Sequence, residues 1–232
     1  MTPRRISRRE AIGTLSGAGA ALALGCGNDT PTSPTSTAST TAPTAVANAA
    51  CVVTPAETAG PFPSLTDLVR SDIREGKEGI PLMLTVRVVN AGNGCAAVAG
   101  AQVEIWQCDA GGNYSQYGSQ VGQTYLRGIQ TANVAGDVTF TTMYPGWYQG
   151  RATHIHIEVS VNGRSAKVTQ IAFPETVNAT VYRSGVYASR GNNPISNASD
   201  QIFSDSLSNE LVTPTGDPSG GYAATFQVGV SL

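Results

Sequence analysis

Two histidines, His154 and His156, are the whole imidazole content of this 232-residue chain, so any metal site built on three or more of them is excluded. Charge is also sparse, at 13% of residues. Of the 14 bases and 16 acids, four arginines and two acids precede Cys51, which leaves 10 bases against 14 acids from Cys51 to Leu232. That acidic balance excludes a phosphate-tracking surface, and nucleic acid is not an expected partner. The chain holds four cysteines but no C-x-x-C pair, which argues against a metal-thiolate site. No long apolar run is present either. The stretch from Ile12 to Leu24 is rich in Gly and Ala, and its 13 residues fall short of the roughly 20 needed to span a bilayer.

What is there at the start reads as an export signal over residues 1–26: a basic opening, the weakly apolar stretch, then a cysteine. Ser7-Arg8-Arg9-Glu10 resembles the twin-arginine pattern, whose receptor exports folded proteins. Leu24-Gly25-Cys26 resembles a lipoprotein cleavage site, with Ala23 where leucine is usual. Simple secretion and lipid attachment at Cys26 both stay open, and such a lipid would be the sole membrane contact. Residues 27–50 are almost entirely Thr, Ser, Pro and Ala with no apolar periodicity, the composition of a disordered tether. Residues 51–232 then suit one domain. Its three cysteines imply one disulfide and one buried thiol. Cys108 sits in an apolar strand pattern and Cys51 and Cys95 in loop-like sequence, which favours Cys51 with Cys95.

Short runs rich in Val, Ile, Thr and aromatics recur between Gly, Asn, Asp and Pro: LMLTVRVV, AQVEIWQC, DVTFTTMY, HIHIEVSV, AKVTQIAF and AATFQVGV. They predict an all-β antiparallel sandwich with long loops and little helix, short helices or turns being confined to SDIREG and NPISNASDQIFSDS. In HIHIEV the strand period of two puts both histidines on one face, with Ile155 and Ile157 on the other. Glu158 continues the histidine face, but at about 3.3 Å per residue it lies roughly 13 Å from His154, too far to share one ion. The remaining donors must be other groups, and two tyrosines stand at turns leading to that face. Tyr114 closes CDAGGNYS, and Tyr148 follows the turn YPGW. A phenol ionises near pH 10 in water, so tyrosinate suits only a strongly polarising ion such as iron(III).

The runs GAQVEIWQCDAGGNYS, YLRGIQTANVAGDVTFTTMYPGWYQGRATHIHIEV and KVTQIAF resemble the intradiol ring-cleavage dioxygenases, the family of protocatechuate 3,4-dioxygenase and catechol 1,2-dioxygenase, with the closest likeness to its small exported bacterial branch. The resemblance extends from CVVTPAETAGPFP to about Phe203. It implies one non-haem iron(III) per chain, held by two tyrosinates (Tyr114, Tyr148), two histidines (His154, His156) and hydroxide. It further implies that a catechol binds as its dianion, displacing hydroxide and Tyr148, and is opened between its hydroxyls by O2 to a cis,cis-muconate-type diacid. Tyr148 would accept a substrate proton. Gly146 and Gly150 flank it and would make its departure easy. Arg151 and Gln170 would lie beside the ring, the guanidinium stabilising charge that develops on a ring carbon. Gly60 and Pro61 would form part of the substrate wall. Gln107 stands where the exported branch commonly has histidine and is not an expected ligand. No long helical pattern precedes Cys51, so the helical dimerisation region of catechol 1,2-dioxygenases is not expected, and the oligomeric state stays open. The competing reading is a non-catalytic extracytoplasmic β-sandwich binding module whose tyrosines and histidines simply pack.

Overall fold

The computed structural model describes residues 51–232; the expected export signal (1–26) and tether (27–50) lie outside the described residues. Nine strands form two sheets, as an all-β sandwich requires. One sheet is built on β1 (Pro81–Asn90), which is flanked by β5 (Asp137–Met143) on one side and β9 (Gly221–Val230) on the other. The short β2 (Ala96–Ala97) pairs with the end of β1, and β8 (Thr215–Asp217) with β9. The second sheet runs β4 (Arg127–Thr131), β3 (Gln102–Trp106), β6 (His154–Val161), β7 (Arg164–Ala172). All pairings are antiparallel except β1 with β9, which run parallel.

Alternation explains the core. Leu82, Leu84, Val86 and Val88 of β1 face Val103 and Ile105 of β3 and Ile155, Ile157 and Val159 of β6 in one apolar layer between the sheets. At roughly 25 cal/mol per Å2 of apolar surface buried, this layer is the main stabilising term. The other face of the second sheet is covered by loops rather than exposed, so the burial pattern of β6 is nearly continuous.

Residues 54–73 form part of that cover. Thr54 N–H donates to Gly229, Glu57 N–H to Val168, Arg70 N–H to Ile129 and Ile73 N–H to Thr141, so this segment is pinned in turn to β9, β7, β4 and β5. A disulfide joins Cys51 to Cys95, and Cys108 is a buried free thiol, the pairing favoured by the sequence. The one α-helix, α1 (Glu175–Val181), follows Pro174 at a place where no helix was expected. The stretch 193–206, where short helices or turns were expected, holds a 3-10 turn, Asn197–Ser199, and further turns. Among the described residues no helix is long and apolar enough to cross a membrane.

Candidate active site

Strand register assembles the centre of the site. Trp106 of β3, His156 of β6 and Gln170 of β7 are direct cross-strand neighbours in one row. The Trp106 indole lies flat on the His156 ring, with centroids 4.8 Å apart and planes 2° from parallel, and fixes its orientation. His154, two residues earlier, emerges on the same face, and its Nε2 lies 3.2 Å from Nε2 of His156. Both rings are buried. His154 Nδ1 donates to the Ala152 carbonyl at 2.7 Å; a carbonyl can only accept, so the proton is on Nδ1 and Nε2 carries a bare lone pair. Glu158 is paired in register with Glu104 and Val168, two positions along the strand from the row of His156, Trp106 and Gln170.

The tyrosines arrive on two interlocked turns. After β3, Asp109 Oδ1 accepts from the backbone N–H of Gly111 and Asn113 at 3.0 and 2.9 Å, a side chain-stabilised turn that delivers Tyr114. The Tyr114 hydroxyl lies 3.3 Å from His154 Nε2. The second turn, Tyr144 to Tyr148, packs directly on the first. A Cβ on Gly146 would stand 2.1 Å from the Asp109 carbonyl oxygen, and one on Gly112 would stand 2.3 Å from that of Trp147. Gly146 is therefore a close-approach residue that locks the turn, contrary to the expectation that it loosens Tyr148. Only Gly150, with φ of +89° and open space around it, fits that expectation. Arg190 ties both turns together, donating to the Gly111 carbonyl at 2.6 Å and lying 4.1 Å over the Trp147 ring.

Tyr148 is half-buried, and its ring lies 5.5 Å from that of His154 and 5.6 Å from that of Tyr114. Gly60 borders the site, since a Cβ there would be 3.1 Å from His156 Cε1; Pro61 beside it is exposed. Phe62 completes this wall by stacking on Tyr114 at 4.7 Å. Arg151 donates through Nε to Asp200 Oδ2 at 2.8 Å and through Nη2 to Gln170 Oε1 at 2.7 Å. Gln170 in turn donates to the Thr58 carbonyl at 2.8 Å. All eight sequence-named residues, Gly60, Pro61, Tyr114, Tyr148, Arg151, His154, His156 and Gln170, thus gather in one region.

Electrostatics define what this group can hold. Burial, helped by the Arg151 guanidinium, pushes the His154 pKa down to about 3; burial and the neighbouring His154 hold His156 well below its ordinary value. Both imidazoles are neutral donors at physiological pH. Burial also holds the Tyr114 phenol well above its ordinary value, and raises Tyr148 against the opposing pull of Arg151. Neither phenol ionises here without a strongly polarising cation. His156 Nδ1 is buried without a hydrogen-bond partner, so the two facing Nε2 atoms either share one proton or address one cation. Among the described residues no cluster of three or more His, Cys, Asp or Glu exists, which leaves the two-imidazole, two-phenol set as the available donors. Two neutral nitrogens and two phenols that a trivalent ion would deprotonate fit iron(III).

Three participants went unread in the sequence. Asp200 is buried and holds Arg151 from 49 positions away. Arg127 is fully buried and binds the Phe62 carbonyl, the Ser64 hydroxyl and both the hydroxyl and carbonyl of Ser115, joining the Phe62 wall to the Tyr114 turn. Phe62 carried no signal beyond its apolarity. Gln107 is no ligand: buried, it donates to the Met143 carbonyl and accepts from Thr142, linking the two sheets.

Residues 55–190 match the family model described as Dioxygenase, and the chain belongs to that family, the intradiol ring-cleavage dioxygenases. Its fold is that of an intradiol ring-cleavage dioxygenase from Tetranychus urticae, with a TM-score of 0.71 and 29% identity over 78% of this chain and 95% of that one. The dioxygenase domain of a carbohydrate-binding fusion protein from Streptomyces sp. SirexAA-E superposes with a TM-score of 0.59 and 26% identity over 78% of this chain and 99% of that one. A catechol 1,2-dioxygenase of Candida albicans is 35% identical over 107 residues, which are 37% of this chain and 35% of that protein, so the match spans about a third of that relative's length.

Proposed function

We propose that this chain is an iron(III) intradiol dioxygenase that opens a catecholic ring between its two hydroxyls with O2 and gives a cis,cis-muconate-type diacid. The observation that carries this reading is the convergence on His154 Nε2 of the His156 Nε2 atom at 3.2 Å and the Tyr114 hydroxyl at 3.3 Å, with Tyr148 packed against them and Arg151 and Gln170 alongside. Tyr114, Tyr148, His154 and His156 would hold the ion, one per chain, and when bound it would supply the charge that draws the catechol in as its dianion and activates it towards O2. Half-buried Tyr148 is the residue placed to give up its position and take one of the substrate's two protons. Phe62, Gly60 and Trp106 form walls that exclude water. The Arg151 guanidinium, held at two of its nitrogens, supplies positive charge beside the ring as electron density shifts onto the attacked carbon.

Purified protein is expected to contain iron near one per chain, to be red-brown from tyrosinate-to-iron(III) charge transfer, and to convert catechol to a muconate-type diacid. His154→Ala and His156→Ala should each lose the metal by elemental analysis. A colourless, iron-free wild type that leaves catechol intact would favour the binding-module reading. Substrate choice can be settled by turnover of catechol, protocatechuate and hydroxyquinol side by side.

Export is part of the proposal, supported by Ser7-Arg8-Arg9 and by the disulfide, which persists in oxidising compartments. Arg8→Lys with Arg9→Lys should strand the protein in the cytoplasm in cell fractionation, and normal export of this variant would refute a twin-arginine route. Release of Cys26→Ser from membranes would establish the lipid.

A further inference from the structure

Arg151 presents one face to the site, and what holds its other side is a single buried carboxylate. Asp200 Oδ2 accepts from Arg151 Nε at 2.8 Å and from the Ala152 N–H at 2.5 Å, while Oδ1 accepts from the Ile202 N–H at 2.8 Å. The carboxylate has no free lone-pair direction towards solvent, since the residue is 1% exposed. It is itself delivered by a rigid turn. Ser196 and Ser199 form a reciprocal capping box around the 3-10 turn Asn197–Ser199, and the Asp200 N–H returns to the Ser196 carbonyl at 3.0 Å. Ala152, bound through its N–H to Asp200, offers its carbonyl to His154 Nδ1 at 2.7 Å. One carboxylate therefore touches the first residue of each of two functional chains: Arg151 to Gln170 to Thr58, and Ala152 to His154.

We infer that Asp200 is a positioning residue for the reaction: it aims the Arg151 guanidinium at the ring and, through Ala152, holds His154 in the orientation that presents Nε2. The inference rests on the proposed dioxygenase reading for the roles of Arg151 and His154. The physical logic is that a guanidinium on a flexible stem loses its aim unless its far nitrogens are fixed, and that an outer hydrogen bond fixes the ring of a ligating histidine. With Nε fixed on Asp200, Nη2 is held on Gln170 Oε1. The family match ends at residue 190, so Asp200 lies beyond the segment that identifies the family.

The test compares Asp200→Asn, Asp200→Ala and Arg151→Ala, alone and in double variants, with thermal melts to verify folding. Asp200→Asn keeps the shape and an acceptor and is expected to retain iron and its visible band, to shift KM for catechol by less than about threefold, and to lower kcat about 100-fold, the loss that misplacing a catalytic group typically brings. In the Arg151→Ala background the same substitution should cost less than about threefold, because the two residues act as a unit. Asp200→Ala, which also loses the Ala152 bond, should weaken iron binding about tenfold or more. Wild-type kcat in Asp200→Asn, or an equal loss in both backgrounds, would overturn the link to Arg151; undiminished iron affinity in Asp200→Ala would overturn the link to His154. Nitrogen-15 NMR of the arginine side chains gives a readout independent of turnover and of every variant's folding. Arg151 Nε–H should exchange slowly in the wild type, and fast exchange there would refute the clamp. If the wild type neither binds iron nor cleaves catechol, the dioxygenase reading fails while the exchange measurement still decides the role of Asp200.

Discussion

Tyr114 and Tyr148 are chemically identical and structurally unequal. Tyr114 is 3% exposed, stacked on Phe62, and backed by the Arg127 guanidinium 5.8 Å from its ring; Tyr148 is half-buried beside the open Gly150. Moving Tyr114 would break a packed cluster, whereas Tyr148 needs only rotation into partly open space. Tyr148→Phe is therefore expected to keep iron through the other three donors and to bind catechol, but to turn over at least about 100-fold more slowly for want of a base. Tyr114→Phe should weaken the metal site and bleach the colour that remains once catechol is bound. Resonance Raman of the two substrate complexes reads which phenolate stays on iron, and persistence of Tyr148 would reverse these roles. At this scale the sequence was legible where donors sat close in the chain: the alternation of His154 and His156 put both on one face. Asp200 and Arg127 were not legible. Asp200 acts on Arg151 from 49 positions away, and Arg127 is bound by two backbone carbonyls, which every residue has, and by two serine hydroxyls far from it in the chain.

Elements differ in how much of themselves they announce. Strands β1, β3, β5, β6, β7 and β9 could be read from β-branched alternation, but β4, RGIQT, hides a buried arginine where an apolar residue is usual. The helix ETVNATV has four β-branched residues among its seven and less than two full turns, so no helical period could emerge; Asn178 and Tyr182, buried against Tyr144 and Thr153, are what hold it. The parallel pairing of β1 with β9 joins the start and end of the domain and leaves no local trace. The two tyrosine-bearing turns depend on each other through glycine. Gly146→Ala would drive a methyl into the Asp109 carbonyl, a backbone clash no rotamer relieves. It is expected to cost about 1–3 kcal/mol in urea unfolding, in the range of overpacking, and to shift the tyrosinate band as well, because both turns must part. An unchanged unfolding midpoint and spectrum would show that the turns do not interlock in solution.

At the scale of the molecule, the sandwich supplies a rigid floor and the segment from Thr54 to Ile73 laces across its edges, contributing Thr58, Gly60 and Phe62 to the site on the way. The fold class followed from the alternation of short strands; the lacing did not, because its hydrogen bonds are made by backbone in sequence that looks like loop. The disulfide closes a loop of 44 residues in sequence, for which chain entropy gives about 4 kcal/mol at 25 °C. Cys51→Ser with Cys95→Ser should accordingly lower Tm by about 10 °C, at the 2–4 °C per kcal/mol typical of domains this size. A melt unchanged by the double substitution would mean that the bond constrains nothing the fold does not already fix. Its position has a mechanical side as well. Cys51 is the first described residue, and Gly60, which grazes the His156 ring, comes only nine positions later. Tension applied to the chain ahead of Cys51 would pass through the disulfide to Cys95, in the turn that leads into β2, as well as along the lacing, so the covalent bond would act as a strain relief that shields the pocket from the pull.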